Sequence, residues 1–140
     1  MSMQQLSIFL ENKTGRLTEV LETLGKVNIE IAAMSVADTS EYGILRLIVS
    51  EPEKAHQLLK EKGFSANLTD VLAVAVPSSA GAFASVLKYF SVENIGIEYV
   101  YAFSFEHTAV IIIRPNDRAK ALQVAEKYEL RLVTWNEIFN

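Results

Sequence analysis

The stretch Glu11-Asn12-Lys13-Thr14-Gly15-Arg16-Leu17 leaves a segment of strand-like alternation and enters one of helical periodicity. Amide N–H groups of a first helical turn have no partner inside the helix and lie at the positive end of its dipole, so a carboxylate is a natural guest there. Gly15 lets the backbone adopt dihedrals closed to other residues and lets a ligand approach closely. Asn12 carries a carbonyl acceptor and amide donors together. Asn28 precedes the next strand, which is expected to run beside this loop, and offers a second such group. A zwitterion needs hydrogen-bond partners of both signs, and these residues supply them. Glycine and asparagine are also ordinary cap and turn residues, and the loop taken alone reads more readily as structural than as ligand-binding.

Other chemistries find less support. No nucleophile–base–orienter pattern such as G-x-S-x-G is present, so no catalytic residue is assigned. The two histidines, His56 and His107, are far apart and read as solvated surface residues; no metal site and no cofactor is expected. With no cysteine, disulfides, thiolate catalysis and cysteine-bound zinc are excluded. A net charge of −4 disfavours nucleic acid and anionic membrane surfaces as partners. Tyr99, Tyr101, Phe103 and Phe105 alternate as base-stacking aromatics do on RNA-binding sheets, but the acidic balance favours core or interface packing. Ala33 and Ser35 stand where repeat two has Tyr99 and Tyr101, so one of these tyrosines is a candidate pocket wall. Lys60-Glu61-Lys62 reads as a solvated helix face.

The elements that position the loop occur twice. Of 140 residues half are apolar and about a fifth charged, enough for a buried core. Shifting the sequence by 66 residues (81 − 15 = 66) lays Gly15 on Gly81, Leu6 on Leu72, Val20-Leu21 on Val86-Leu87, and Asn28, Ile29 and Ile31 on Asn94, Ile95 and Ile97. Lys54, Ala55 and Gln57 fall on Lys120, Ala121 and Gln123 without a gap. Alternation predicts a strand over 6–10, with its copy at 71–76. Leu17, Val20, Leu21 and Leu24, and Phe83, Val86, Leu87 and Phe90, mark one face of a helix in each copy. Second strands are expected near 29–37 and 95–105, then a hairpin turn near Ser40-Glu41-Tyr42-Gly43, and third strands over 44–49 and 109–113.

Ser50-Glu51-Pro52-Glu53 has the pattern of a capping box with proline in the first turn, and Asn116 is the expected cap of the second copy. Ala55, Leu58 and Leu59, and Ala121, Leu122, Val124 and Ala125, supply the buried faces. Short fourth strands are expected near 65–68 and 131–134. The order is βαββαβ twice, over 1–70 and 71–140. It predicts an α+β chain of two tandem ferredoxin-like repeats, antiparallel sheets with helices packed on one face. The apolar run over 71–76 is too short to span a bilayer, and the start of the chain lacks a signal-peptide pattern, so a cytoplasmic protein is expected.

Asn12-Lys13-Thr14-Gly15-Arg16-Leu17 followed by Val27-Asn28-Ile29 resembles the ACT domain, which typically shows Asn-x-Pro-Gly-x-Leu and then Val-Asn-Ile. Val71 through Gly81 resembles the opening of a second ACT repeat, and Trp135-Asn136-Glu137-Ile138 the end of small tandem-ACT proteins. The resemblance covers essentially the whole chain. It implies a non-catalytic regulator that binds a free L-amino acid where ACT units meet. It also implies a homodimer that acts on a metabolic enzyme or a transporter. The implied ligand contacts are Asn12, Lys13, Thr14, Gly15, Arg16, Leu17 and Asn28, and in the second copy Ser78, Ser79, Ala80, Gly81 and Asn94. The family's proline is replaced by Thr14 and Ala80, and its first asparagine by Ser78 in the second copy, so the two sites are expected to differ, or only the first to be used. Two other classes stay open: a structural interaction module without a ligand, and an enzyme on a ferredoxin-like scaffold.

Overall fold

The computed structural model describes residues 3–11, 15–38 and 42–139. Along them run β1 (Met3–Glu11), α1 (Arg16–Lys26), β2 (Ile31–Asp38), β3 (Tyr42–Val49), α2 (Pro52–Glu61), β4 (Ser65–Val76), α3 (Ala82–Val92), β5 (Ile97–Phe105), β6 (Thr108–Pro115), α4 (Arg118–Lys127) and α5 (Trp135–Phe139). The chain forms two compact units, one of Gln4–Thr69 and one that joins Met3 to the residues from Asp70 onward. Each follows the βαββαβ order of a ferredoxin-like repeat. The 66-residue repeat holds to the residue: α1, β3 and α2 begin and end 66 positions before α3, β6 and α4.

In the first unit β3 pairs antiparallel with both β1 and β2; in the second β6 pairs antiparallel with both β4 and β5. Even the irregularities repeat, with a register shift between Ile31 and Ala33 and another between Ile97 and Tyr99. Each unit has its own core. Leu6, Ile8, Leu10, Leu45 and Leu47 meet Val20 and Leu24 of α1 and Ala55 and Leu59 of α2. Leu72, Val74, Val76, Ile111 and Ile113 meet Val86 and Phe90 of α3 and Ala121 and Val124 of α4.

Four helices end in the same way. A left-handed residue stands just past the helix: Asn28, Gly63, Asn94 and Glu129, at φ 60°, 87°, 59° and 53°. Its N–H and that of the next residue turn back to the last carbonyls, as in Asn28 to Gly25 at 3.1 Å and Ile29 to Leu24 at 3.1 Å. The second copy gives Asn94 to Ser91 at 3.1 Å and Ile95 to Phe90 at 2.9 Å. This is the Schellman closure, with an apolar residue after the turn packed on the helix's last turn. Ile29, Phe64 and Ile95 are accordingly buried.

Several expectations need correction. The strands expected separately at 65–68 and 71–76 are one strand, β4, because Thr69 and Asp70 stay extended. The fourth strand of the second unit is reduced to a single bridge, Leu132 to Val74, held by Ala75 N–H to the Arg131 carbonyl (2.9 Å) and Val133 N–H to the Ala73 carbonyl (2.8 Å). A short helix, α5, follows it. The capping box does not form: Glu51 is the N-cap of α2, and Pro52 opens the helix. The Ser50 hydroxyl instead accepts from the Glu30 N–H at 2.8 Å. Asn116 does the same for Gly96 at 3.2 Å, while Asp117 caps α4 by accepting from the Lys120 N–H at 3.0 Å. His56 is half-buried, and its Nε2 lies 2.9 Å from the Ala66 carbonyl, tying α2 to β4. Phe83 is exposed, and Ala82 takes its place in the core. Of the expected hairpin turn, Ser40 and Glu41 lie outside the described residues, and Tyr42 and Gly43 belong to β3.

The left-handed position fixes a test. Asn28→Ala should lower stability by about 1 kcal/mol, because a β-carbon is disfavoured there and asparagine tolerates it, whereas Asn28→Gly should not. Urea unfolding with an unchanged slope measures it.

Candidate functional site

Both candidate loops enter their helices through a left-handed glycine. Gly15 has φ 90° and ψ −11°, and Gly81 has φ 83° and ψ −2°. A β-carbon at either would meet nothing within 4 Å, so the dihedral rather than crowding calls for glycine. Their carbonyls accept from Glu19 N–H (2.9 Å) and Ser85 N–H (3.0 Å), starting the helices. As glycines, these N-cap residues supply no side-chain cap of their own.

The first loop is partly engaged with its own unit. Asn12, Lys13 and Thr14 lie outside the described residues. Arg16 lays its guanidinium over the Phe64 ring, 4.1 Å from the centroid, and pairs with Glu19 at 3.1 Å. Leu17 packs against the first core. The second loop is exposed from Pro77 through Gly81. Its backbone folds on itself, with Ser79 N–H to the Pro77 carbonyl at 3.0 Å and Ala82 N–H to the Ser79 carbonyl at 3.2 Å.

Asn28 and Asn94 stand elsewhere. Each closes the far end of the helix that its loop opens. An 11-residue helix is about 16 Å long, so one amino acid does not reach both Gly15 and Asn28 of the same unit. The expectation that Asn28 lies beside the loop is therefore corrected: the residue before β2 is brought back along α1, away from its start.

A cavity of about 360 Å³ opens in the second unit beside this loop, and Ser79 and Ala82 are among its walls. Tyr99, Tyr101, Phe103 and Phe105 do project to one face, pairing with Arg114, Ile112, Val110 and Thr108. That is the sheet face opposite Ile111 and Ile113 of the helix-side core, and none of the four lines the cavity. Glu106 and His107 form the turn between β5 and β6, both at positive φ. Among the described residues no group of three or more histidine, aspartate or glutamate side chains is placed to hold a metal ion. No helix among them is long and apolar enough to cross a membrane.

One electrostatic cluster reaches the cavity through Tyr128, and no motif in the sequence marks it. The Glu93 Oε2 accepts from Lys127 Nζ at 2.8 Å and from the Tyr128 hydroxyl at 2.7 Å. Tyr128 stacks on Tyr89, with ring centroids 4.3 Å apart. The hydrogen bonds from Lys127 and then Tyr128 hold the Glu93 carboxyl below its ordinary 4.5. The same bonds to Glu93 raise Lys127 and Tyr128 above their ordinary 10.5 and 10.0. The first repeat has Val27, Glu61 and Lys62 at these positions, so the charge pattern is not shared.

A family model described as an ACT domain pair matches residues 1–140. A Bacteroides thetaiotaomicron protein of known structure is 43% identical, with a TM-score of 0.93 over 100% of this chain and 97% of that one. The regulatory subunit of aspartate kinase from Thermus thermophilus is 15% identical, with a TM-score of 0.62 over 91% of this chain and 93% of that one. Aspartate kinase from Synechocystis is 15% identical, with a TM-score of 0.57 over 91% of this chain and 25% of that one. The two kinase likenesses concern the fold. Among curated protein sequences none matches.

The Glu93 cluster predicts a pH signature. A depressed carboxyl stabilises the fold above its ordinary 4.5 and loses that contribution as pH falls through the lower folded value. Raised Lys127 and Tyr128 contribute below 10.5 and 10.0 and lose it as pH rises through their folded values. Glu93→Gln should therefore lower the melting temperature slightly at pH 7, less so in high salt. The gap from wild type should close as pH is taken well below 4.5. Melting curves from pH 3 to pH 8 (about five acidities suffice) measure it.

Proposed function

The chain belongs to the ACT domain pair family, and on that premise we propose that it is a non-catalytic regulator that binds a free L-amino acid and acts in trans on a partner. The observation that carries this reading is the duplicated strand–loop–helix entry through a left-handed glycine N-cap, Gly15 and Gly81. The first turn of a helix entered from such a loop suits a carboxylate. The aspartate kinase regulatory subunit whose fold it shares is by its description regulatory, which supports the same class.

The ligand contacts proposed are Asn12, Lys13, Thr14, Gly15, Arg16 and Leu17, or their counterparts Ser78, Ser79, Ala80 and Gly81. Asn28 and Asn94, at the far ends of their helices, are assigned to contact from a second copy of the chain in a homodimer. The setting is cytoplasmic, and the partner is a metabolic enzyme or a transporter. Ligand acts on it only through unequal affinity for two states of the regulator.

The test is a thermal-shift screen against the common amino acids at millimolar concentration. An amino acid present at a hundredfold excess over its dissociation constant stabilises the native state by about 2.7 kcal/mol. The expected result is a rise of several degrees for one amino acid or one side-chain class. It should shrink in Asn12→Ala or in Ser78→Ala, according to the repeat used. Equal melting temperatures with every amino acid would sink the reading and leave an interaction module in its place.

A further inference from the structure

The two repeats treat one junction differently. Where α1 starts in the first unit, the Arg16 guanidinium covers the ring of Phe64, which is 4% exposed, and Glu19 holds the arginine. Sixty-six residues later the same three places hold Ala82, Leu130 and Ser85. A long cation, a ring and a carboxylate have become a methyl, a smaller aliphatic chain and a hydroxyl. The space they vacate is not refilled. Ala82, Ser85 and Leu130 all line the cavity of about 360 Å³ in the second unit, a volume within the usual range of small-molecule pockets.

The rest of its wall has chemistry. Val86 and the Tyr89 ring give an apolar side, on the same face of α3 as Ala82 and Ser85. Glu129 and Arg131, an acidic and a basic residue, are also among the wall residues. Arg131 donates to Glu137 at 3.1 Å, which occupies one of its five N–H groups. Glu129 stands at φ 53°, in the left-handed place that Gly63 fills at φ 87° in the first unit. Glutamate carries a conformational cost there that glycine avoids. A strained residue at the wall of a cavity points to a use for its side chain.

We infer that this cavity is the ligand site of the chain and occurs once per chain. Its ligand is a free α-amino acid with an aliphatic or aromatic side chain. The ammonium pairs with Glu129, the carboxylate with Arg131 and the Ser79 hydroxyl, and the side chain lies on Val86, Leu130 and Tyr89. The inference rests on the amino-acid-binding reading above and narrows it to the second unit.

Isothermal titration of the full chain with L-leucine, L-phenylalanine, L-lysine and glycine tests it. Leucine or phenylalanine should bind at least tenfold more tightly than glycine or lysine. The double variant Ala82→Arg/Leu130→Phe rebuilds the plug of the first repeat and should weaken that binding at least tenfold while the melting temperature holds. Glu129→Gly should raise the melting temperature and yet weaken binding at least fivefold, a pairing that a merely structural glutamate does not produce. If the double variant does not fold, the glycine variant decides alone. Unchanged affinity in either folded variant overturns the inference, and if Asn12→Ala then abolishes binding, the function stands with its site in the first repeat. A wild-type chain that binds none of the four, in a screen where no other amino acid binds, overturns the functional reading itself.

Discussion

Everything in each unit hangs on where its helices stop. A helix laid on a sheet must end so that the chain reverses, leaves no buried carbonyl without a donor, and delivers the next apolar residue into the core. One left-handed residue meets all three demands. After α1 it is Asn28, and the reversal puts Ile29 on Leu24, both buried. After α3 it is Asn94, with Ile95 on Phe90. Had either helix run one residue further, the alternation of β2 or β5 would meet its partner strand out of phase, and every side chain would exchange faces. The repeated register shifts at Ile31/Ala33 and Ile97/Tyr99 show how closely this entry is kept in both copies.

Because the backbone is held in common, the differences between copies are differences of side chains at matched positions. Gly63 against Glu129, Arg16 against Ala82 and Phe64 against Leu130 lie together at one junction. In the first unit that junction is filled by a cation on a ring; in the second it is open, and Tyr128 of its wall is bonded to Glu93, a contact the first unit's residues at those places do not offer. A fold kept uniform with one junction kept open is what division of labour between two repeats looks like in physical terms: the junction at Arg16 and Phe64 is filled, and its counterpart at Ala82 and Leu130 is left as a cavity.

The architecture was legible because its signal is redundant. Identities such as Asn28 with Asn94, and the stripes Val20, Leu21, Leu24 and Val86, Leu87, Phe90, reinforce each other at one offset. The misreadings came where one residue type serves two uses. Ser50 ahead of Glu53 has the form of a capping box, but a serine there can also reach the loop before β2, and the Glu30 N–H wins it. Asn116 goes the same way to Gly96, leaving the cap to Asp117. Asn28 carries the donors and acceptor of a ligand contact, yet its backbone is what the fold uses, and nothing in its chemistry separates a helix stop from a binding group. Thr69 and Asp70 are poor strand residues that stay extended between two good strand segments, so β4 is continuous. The cavity was not legible at all, because it is defined by atoms the second repeat lacks.

The position of that cavity bears on how occupancy can matter. Its wall includes Tyr128, Glu129, Leu130 and Arg131, the residues that carry the backbone out of α4. The next residues form the least supported part of the second unit, a single bridge at Leu132 flanked by two backbone hydrogen bonds. Arg131 reaches on to Glu137 of α5, and Thr134 accepts from the N–H of Glu137 at 3.4 Å. α5 itself contributes no buried side chain to the core. Segments with few buried contacts open at low free energy and are the ones that respond to ligands. Charge brought against Glu129 and Arg131 therefore acts where the fold has least to resist it, at the single bridge of Leu132 and the short helix beyond, rather than in the Leu72, Val74 and Ile111 core that fixes the sheet.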